Sequence, residues 1–253
     1  MGDQRQGKVM ENGSGPAGKT IFVAGTDTSV GKTLVCGLLL QYAGKRLRTG
    51  YQKWVSTGGS GVSEDWRFCR ETAGLPLDEG RLDLEVPFRF AYPASPHLAA
   101  ELEGRVVDEA VIVARYHELA AAHELLIVEG VGGLMVPLRR DLLLADLLAR
   151  LALPTLVVAR SGLGTLNHTL LTLEALRVRQ IPVVGVVCSD GLGEPGDDTL
   201  IADNLRTIGE LGRCPVFGRL RRCSTVAEAI SSFAPMGKAI LAAQAGHSGL
   251  RSL

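Results

Sequence analysis

The sequence predicts an α/β fold: a three-layer sandwich, with a mostly parallel sheet and helices on both faces. Three observations predict it. Short apolar runs alternate with helical stretches from about residue 21 to residue 245. Most of these runs are continuously apolar rather than alternating, as expected of parallel strands buried on both faces. At 253 residues the chain has ample length for one large core, and it shows no internal repeat or interior linker.

Taken in order, residues 1–19 are polar and Gly-rich and read as a disordered leader without the apolar centre of a secretory signal. Residues 20–246 are expected to form a single domain. The run at 21–24 is the first strand, and a Gly/Thr/Asp/Ser loop leads from it into a helix over 34–42 that stops near Gly44. Residues 51–55 read as a strand and 56–61 as a mobile Gly/Ser loop. Ser63 followed by two acids is a helix-start signature for 63–73. Two prolines bracket Ser95, a further helix starts near His97, and 106–122 has helical periodicity. LLIV at 125–128 is a buried strand. The pattern then predicts a helix at 141–151, a strand at 153–159, a helix at 165–179 and a strand at 183–188. After a polar loop at 191–198 come a helix at 200–211, a strand at 215–220 and a last helix at 225–245. That helix is expected to break near Pro235-Met236-Gly237, leaving 247–253 as a loose tail.

Lys plus Arg and Asp plus Glu both number 27, giving zero formal charge. This balance argues against binding nucleic acid or an acidic membrane through bulk charge. The five cysteines (Cys36, Cys69, Cys188, Cys214 and Cys223) form no CxxC pair, which suits reduced thiols and a cytoplasmic location. No charge-free apolar run reaches about 18 residues, so no membrane-spanning helix is expected.

The chemistry centres on residues 21–37, IFVAGTDTSVGKTLVCG. A strand, a glycine-containing loop, Gly31-Lys32-Thr33 and a helix follow in the order of a phosphate-binding loop. Backbone amides and the positive helix end face an anion, Lys32 adds a full charge, and Thr33 can reach Mg²⁺. Gly25 stands one residue too far upstream for GxxxxGK[ST], so Thr26 takes the place of the first glycine. Lys53, in a strand running toward this loop, would aim a second ammonium at the same place. On that stretch alone it reads equally as a solvated edge-strand lysine. Asp65 reads as a first-turn acid complementing the helix dipole or as a metal ligand. Glu129 closes a buried strand, where parallel sheets place ligands, and Gly130, Gly132 and Gly133 leave room beside it. The Gly-rich start of the helix at 165 is a potential anion site, or ordinary strand-to-helix loop chemistry.

Five segments together resemble the dethiobiotin synthetase family, of P-loop NTPase type. They are GTDTSVGKT, Lys53 in YQKWVSTG, FAYPASPHLAAELEG, VEGVGGLMVPL and SGLGTLNHTLLTLEALR, and the resemblance spans roughly residues 21–220. The longer phosphate loop is that family's form. GTDTxVGKT, SPHLAA and NHTLLT are specific, whereas VEGxGG is shared with related amide-forming enzymes.

The resemblance implies an ATP-dependent ligase of biotin biosynthesis. It would convert 7,8-diaminononanoate, CO₂ and Mg·ATP to dethiobiotin through a carbamate and a carbamic–phosphoric anhydride. Lys53, Lys32 and Thr28 would be catalytic. The nucleotide would meet Ser29, Val30, Gly31, Lys32, Thr33, Leu34, Asp65, Glu129, Gly130, Gly132, Ser189 and Asp190. Substrate would meet Thr28, Lys53, Thr57 and, from the other subunit of a homodimer, Gly164, Thr165, Leu166 and Asn167. Mg²⁺ would be held by Thr33, Asp65 and Glu129.

Three residues depart from the family pattern. Trp54 replaces a proline, Ser189 stands where an Asn often reads adenine, and Arg221 replaces a proline after the last strand. Of the cluster Arg219, Arg221 and Arg222, solvated surface is the slightly favoured reading over nucleotide contact. Two other functions compete. A cobyrinic acid diamide synthase would need a glutamine-hydrolysing domain with a nucleophilic cysteine. A partition-type ATPase switch would need an extra lysine where Thr26 and Asp27 stand.

Overall fold

The chain was analysed as a computed structural model that describes residues 19–59, 61–191 and 197–249. The leader up to residue 18, Ser60, residues 192–196 of the polar loop and residues 250–253 of the tail lie outside the described residues.

The apolar run KTIFVAG forms β1 (Lys19–Gly25), buried from Thr20 onward. It is followed by α1 (Lys32–Gly44), β2 (Thr49–Lys53) and β3 (Val55–Thr57). Next come α2 (Glu64–Ala73), a 3₁₀ turn at Glu79–Arg81, the short α3 (Leu82–Glu85), β4 (Phe88–Phe90) and α4 (Pro96–Leu102). The middle of the chain supplies α5 (Glu109–Ala122), β5 (Leu125–Gly133), β6 (Pro137–Arg139), β7 (Leu142–Leu143) and α6 (Leu144–Leu151). The last third supplies β8 (Thr155–Arg160), α7 (Thr165–Val178), β9 (Val183–Ser189), α8 (Asp198–Gly212), β10 (Val216–Leu220) and α9 (Val226–Gly249).

Six strands form one sheet in the order β10-β9-β8-β1-β5-β2, and every neighbouring pair in it is parallel. Successive residues of β1 serve opposite faces, as the two-residue strand period requires. Phe22 and Ala24 join Leu126, Val128, Val157, Ile112, Leu147, Leu173 and Ile208 in one apolar layer. Ile21 and Val23 join Ile127, Leu156, Leu38, Leu39, Trp66, Phe233 and Ile240 in the other. The three-layer α/β expectation is therefore met. Because all six strands run the same way, their C-terminal ends gather at one edge, where such sheets bind ligands.

Several local expectations are corrected. The strand expected over 51–55 ends at Lys53. Trp54 then turns into the core, 5.0 Å from the Phe22 ring, and its Nε1 donates to Gln52 Oε1 at 3.1 Å. Indole burial against Phe22 takes the chain out of the main sheet there, so Val55–Thr57 pairs with Phe88–Phe90 instead of opening a loop. The helix expected from 141 begins at Leu144, because Leu142 and Leu143 pair with β6. The helix expected from 106 begins at Glu109, where Asp108 accepts from the Ala110 amide at 2.8 Å. Helix α9 runs unbroken through Pro235, held by the buried Phe233, Met236 and Ile240. It continues to Gly249, into the stretch expected to be loose.

Candidate active site

The loop after β1 is shaped by residues that suit its backbone. Gly31 caps α1 with φ of 97°, the left-handed region that favours glycine, and a Cβ there would lie 2.7 Å from Ser189 Oγ. No side chain caps the α1 start and no acid lies in its first turn, which leaves those amides for an anionic ligand. Gly25 has a different purpose. A Cβ at this position would sit 2.6 Å from Lys32 Nζ and 2.7 Å from the Asp27 carbonyl. The glycine thus makes room for Lys32 to fold back and donate to the Asp27 carbonyl at 2.9 Å. Burial lowers the Lys32 pKa to about 8, against the pull of Glu129.

Strand pairing supplies the opposing side. Lys53, the last residue of β2, is the register partner of Glu129, midway along β5, which runs on to Gly133 rather than closing at Glu129, and Lys53 Nζ lies 2.8 Å from Glu129 Oε1. The same ammonium lies 2.5 Å from Asp65 Oδ2. Thr33 Oγ1 is within hydrogen-bond distance of both acids, 2.8 Å from Asp65 Oδ1 and 2.9 Å from Glu129 Oε1. Burial alone would lower the Lys53 pKa, but Glu129 and Asp65 together raise it well above the usual lysine value. Burial would likewise raise the Asp65 pKa, and Lys53 overrides it, holding the carboxyl below its usual range.

Asp65 stands in the first turn of α2, whose start is capped by Ser63 accepting from the Trp66 amide. The helix is pinned by a buried network. Trp66 Nε1 donates to Glu85 Oε2 at 2.6 Å and Arg70 Nη1 to the same oxygen at 2.7 Å.

These groups line one cleft of about 640 Å³. Thr28, Ser29, Gly31, Lys32, Thr33, Leu34, Lys53, Thr57, Asp65, Glu129, Gly132 and Ser189 all face it. Other expected site residues are not in its lining. Val30 is fully buried. Gly130 is pressed against Phe22, where an added Cβ would meet the ring at 3.0 Å, so its smallness serves packing.

Asp190 is taken up by the fold. Its carboxylate accepts from Ser161 Oγ at 2.6 Å, Arg219 Nε at 2.8 Å and the Arg222 amide at 3.1 Å. Burial would raise its pKa, but the Arg219 fork, Ser161 and the Arg222 amide hold it below the usual carboxylate range. Gly164, Thr165, Leu166 and Asn167 form the start of α7, outside the cleft lining.

Tyr51 and Phe68 are not among the residues that the sequence singles out. Tyr51, beneath the cleft, donates its hydroxyl to Glu129 Oε2 at 2.7 Å. Phe68 and the segment 220–226 complete the wall, bringing Arg221, Arg222 and Cys223 to the cleft. Arg219, by contrast, pairs with Asp190 and Asp198. The sequence slightly favours solvated surface for this arginine cluster, yet Arg221 and Arg222 line the cleft.

A hydroxyl and two carboxylates present hard oxygens of the kind Mg²⁺ takes alongside phosphate and water. The described residues contain no cluster of three or more His, Cys, Asp and Glu able to hold a metal. A cation here therefore needs nucleotide or water oxygens to complete its shell.

Fold and cleft together define the class: a nucleotide-using enzyme of P-loop NTPase type. Comparison with known proteins narrows it. A family model described as an AAA domain matches residues 19–229. The ATP-dependent dethiobiotin synthetase of Chlorobaculum tepidum is 44% identical over 172 residues, covering 67% of this chain and 72% of that one. The synthetase of Methanococcus vannielii is 36% identical over 199 residues, covering 78% and 91%. A bifunctional biotin-biosynthesis protein of Bordetella avium is 41% identical over 207 residues, and this chain spans 40% of its length. The chain belongs to the ATP-dependent dethiobiotin synthetase family.

Among solved structures, a plasmid partition protein of Borrelia burgdorferi superposes with a TM-score of 0.54 at 11% identity, covering 89% of this chain and 99% of that one. A ParA family ATPase of Chlorobium tepidum gives 0.52 at 12%, covering 90% and 99%. At that identity the likeness speaks for the fold alone.

Proposed function

We propose that the chain closes the ureido ring of dethiobiotin from 7,8-diaminononanoate, CO₂ and Mg·ATP. One observation carries this reading. Lys32, Lys53, Thr28 and the Thr33–Asp65–Glu129 group converge on a single cleft. Phosphoryl transfer asks a protein chiefly for positioning and positive charge, and two ammonium groups beside a phosphate loop provide both.

In the reaction, an amine nitrogen of the diamine adds to CO₂ and loses a proton, giving a carbamate. A carbamate oxygen then attacks the γ-phosphorus and ADP leaves. The second amine attacks the carbonyl carbon of the resulting anhydride, expels phosphate and closes the ring. Lys32 and Lys53 would offset charge on the carbamate and the moving phosphoryl group. The loop amides from Ser29 to Leu34 would hold the phosphates, and Thr28 and Thr57 would contact the diamine or carbamate. Thr33, Asp65 and Glu129 would hold Mg²⁺, which neutralises phosphate charge when bound.

The substrate's far carboxylate would meet Gly164–Asn167 at the start of α7, contributed by the partner in a homodimer. This assignment is supported by the start of α7, which no side chain caps, and by the exposure of Leu163 just before that helix and of Leu171 and Val178 on it. Five free thiols suit a cytoplasmic setting. Among the described residues no helix is long and apolar enough to cross a membrane.

The test is ADP release with and without diaminononanoate and bicarbonate. Strong stimulation by the pair is expected. An unresponsive rate would remove the ligase reading and favour a non-catalytic ATPase switch.

A further inference from the structure

Asp27 lies where the chain leaves β1 for the phosphate loop, and each of its oxygens is in use. The carbonyl accepts from Lys32 Nζ at 2.9 Å. Oδ1 accepts from the Thr28 amide at 2.7 Å and lies 3.4 Å from the Thr28 hydroxyl. Oδ2 accepts from Arg160 Nη2 at 3.1 Å. Arg160 is the last residue of β8, the strand beside β1. Its carbonyl accepts the hydroxyl of Thr165, the first residue of α7, at 2.5 Å. A continuous run of hydrogen bonds therefore joins the start of α7, through Arg160 and Asp27, to Thr28 and Lys32. Neither Asp27 nor Arg160 lines the cleft.

We propose that Asp27 and Arg160 are positioning residues whose ion pair sets the orientation of Thr28 and the substrate-facing half of the loop. Two physical arguments support this. A carboxylate held through both oxygens cannot rotate away from the Thr28 amide, because charge-assisted bonds restrict it at each end. An unpaired carboxylate next to a loop that receives phosphate and carbamate would also oppose those anions, and the Arg160 guanidinium offsets it. The pair adds little stability, since its side chains are 51% and 43% exposed. Its worth lies in geometry, so variants should fold and be readable. The identity of the substrate rests on the reading above; the orientation of Thr28 does not.

The experiment compares wild type with Arg160→Met, Asp27→Asn and the double variant. Amide NMR of the nucleotide-free protein follows the Thr28 resonance. Steady-state kinetics with varied diaminononanoate at saturating Mg·ATP, and ADP binding, are measured beside it. The Thr28 resonance should move in Arg160→Met, although Arg160 itself does not touch Thr28. Diamine kcat/KM should fall on the order of 10- to 100-fold, as misplacement of a positioning group does. ADP affinity of Arg160→Met should change less than about threefold, and the double variant should be no worse than the worse single, because the two act as one unit. An unmoved Thr28 resonance, additive losses, or parallel loss of ADP affinity, turnover and thermal stability would overturn the proposal. If wild type shows no diamine-dependent ADP release, the reaction assignment fails, and the Thr28 resonance still decides the positioning role.

Discussion

Lys53 and Glu129 face each other across the β2–β5 register, with Nζ 2.8 Å from Oε1 and both side chains almost fully buried. The same ammonium also lies 2.5 Å from Asp65 Oδ2, between two carboxylates that are proposed to hold Mg²⁺. Lys53→Ala should therefore have two effects. Turnover should drop on the order of 10²–10³-fold, as for loss of one preorganised donor in a transition state, while Mg·ATP binding persists. The protein should also lose about 3 kcal/mol of stability, because the buried Glu129 carboxylate loses its cation. Near-normal turnover in steady-state kinetics would reject the assignment.

Lys32 differs in being buried without a carboxylate at contact distance. Its pKa is lowered to about 8 from 10.5, so below about pH 8 folding works against a buried charge. As pH rises from about 8 to 10.5, the unfolded chain holds the proton that the folded chain has lost, and stability rises. Lys32→Met should raise stability at pH 7 by roughly 1–3 kcal/mol. That gain should fade toward pH 10, and the variant should lose Mg·ATP binding. Thermal melts across pH 7–10 check the sign.

Gly25→Ala tests why the loop glycine sits where it does. The added methyl would meet the Asp27 carbonyl at 2.7 Å and Lys32 Nζ at 2.6 Å, and the backbone carbonyl cannot step aside cheaply. ATP affinity should weaken on the order of 10-fold or more through displacement of Lys32. Calorimetric titration would show it; unchanged affinity would mean that Lys32 does not need this folded-back position.

Asp190→Asn addresses a residue expected at the nucleotide whose carboxylate braces the wall. Its partners Arg219 and the Arg222 amide lead directly into the segment that lines the cleft. The variant should raise the nucleotide KM a few-fold with kcat little changed, and cost about 1–3 kcal/mol in stability from a weakened buried charged network. A fall in kcat with KM intact would point to a direct role in the chemistry.

How far the site could be read from the chain depended on how local each part is. The phosphate loop is contiguous, and its glycines and Lys32-Thr33 act through the backbone that carries them. Lys53, Asp65 and Glu129 come from three elements, and nothing in 51–55 or 63–73 alone says that their side chains meet. Sheet register brings two of them together and the Ser63 cap delivers the third. Tyr51 was hidden because a strand tyrosine looks like core until its hydroxyl finds Glu129. Gly130 and Asp190 also have packing and bracing partners that the sequence does not show, because small size and negative charge serve those roles as readily as nucleotide binding. Trp54 altered a strand end that a pattern of propensities would have continued, since burying its indole against Phe22 outweighed two more residues of ladder.

In the proposed reaction this cleft couples ATP cleavage to ring closure. Labelled bicarbonate incorporation, measured together with ADP release, tests it most directly. One labelled carbon in dethiobiotin is expected for each ADP formed, with both falling together in Lys53→Ala. ADP release that proceeds at full rate without diaminononanoate, with no label in product, would contradict it.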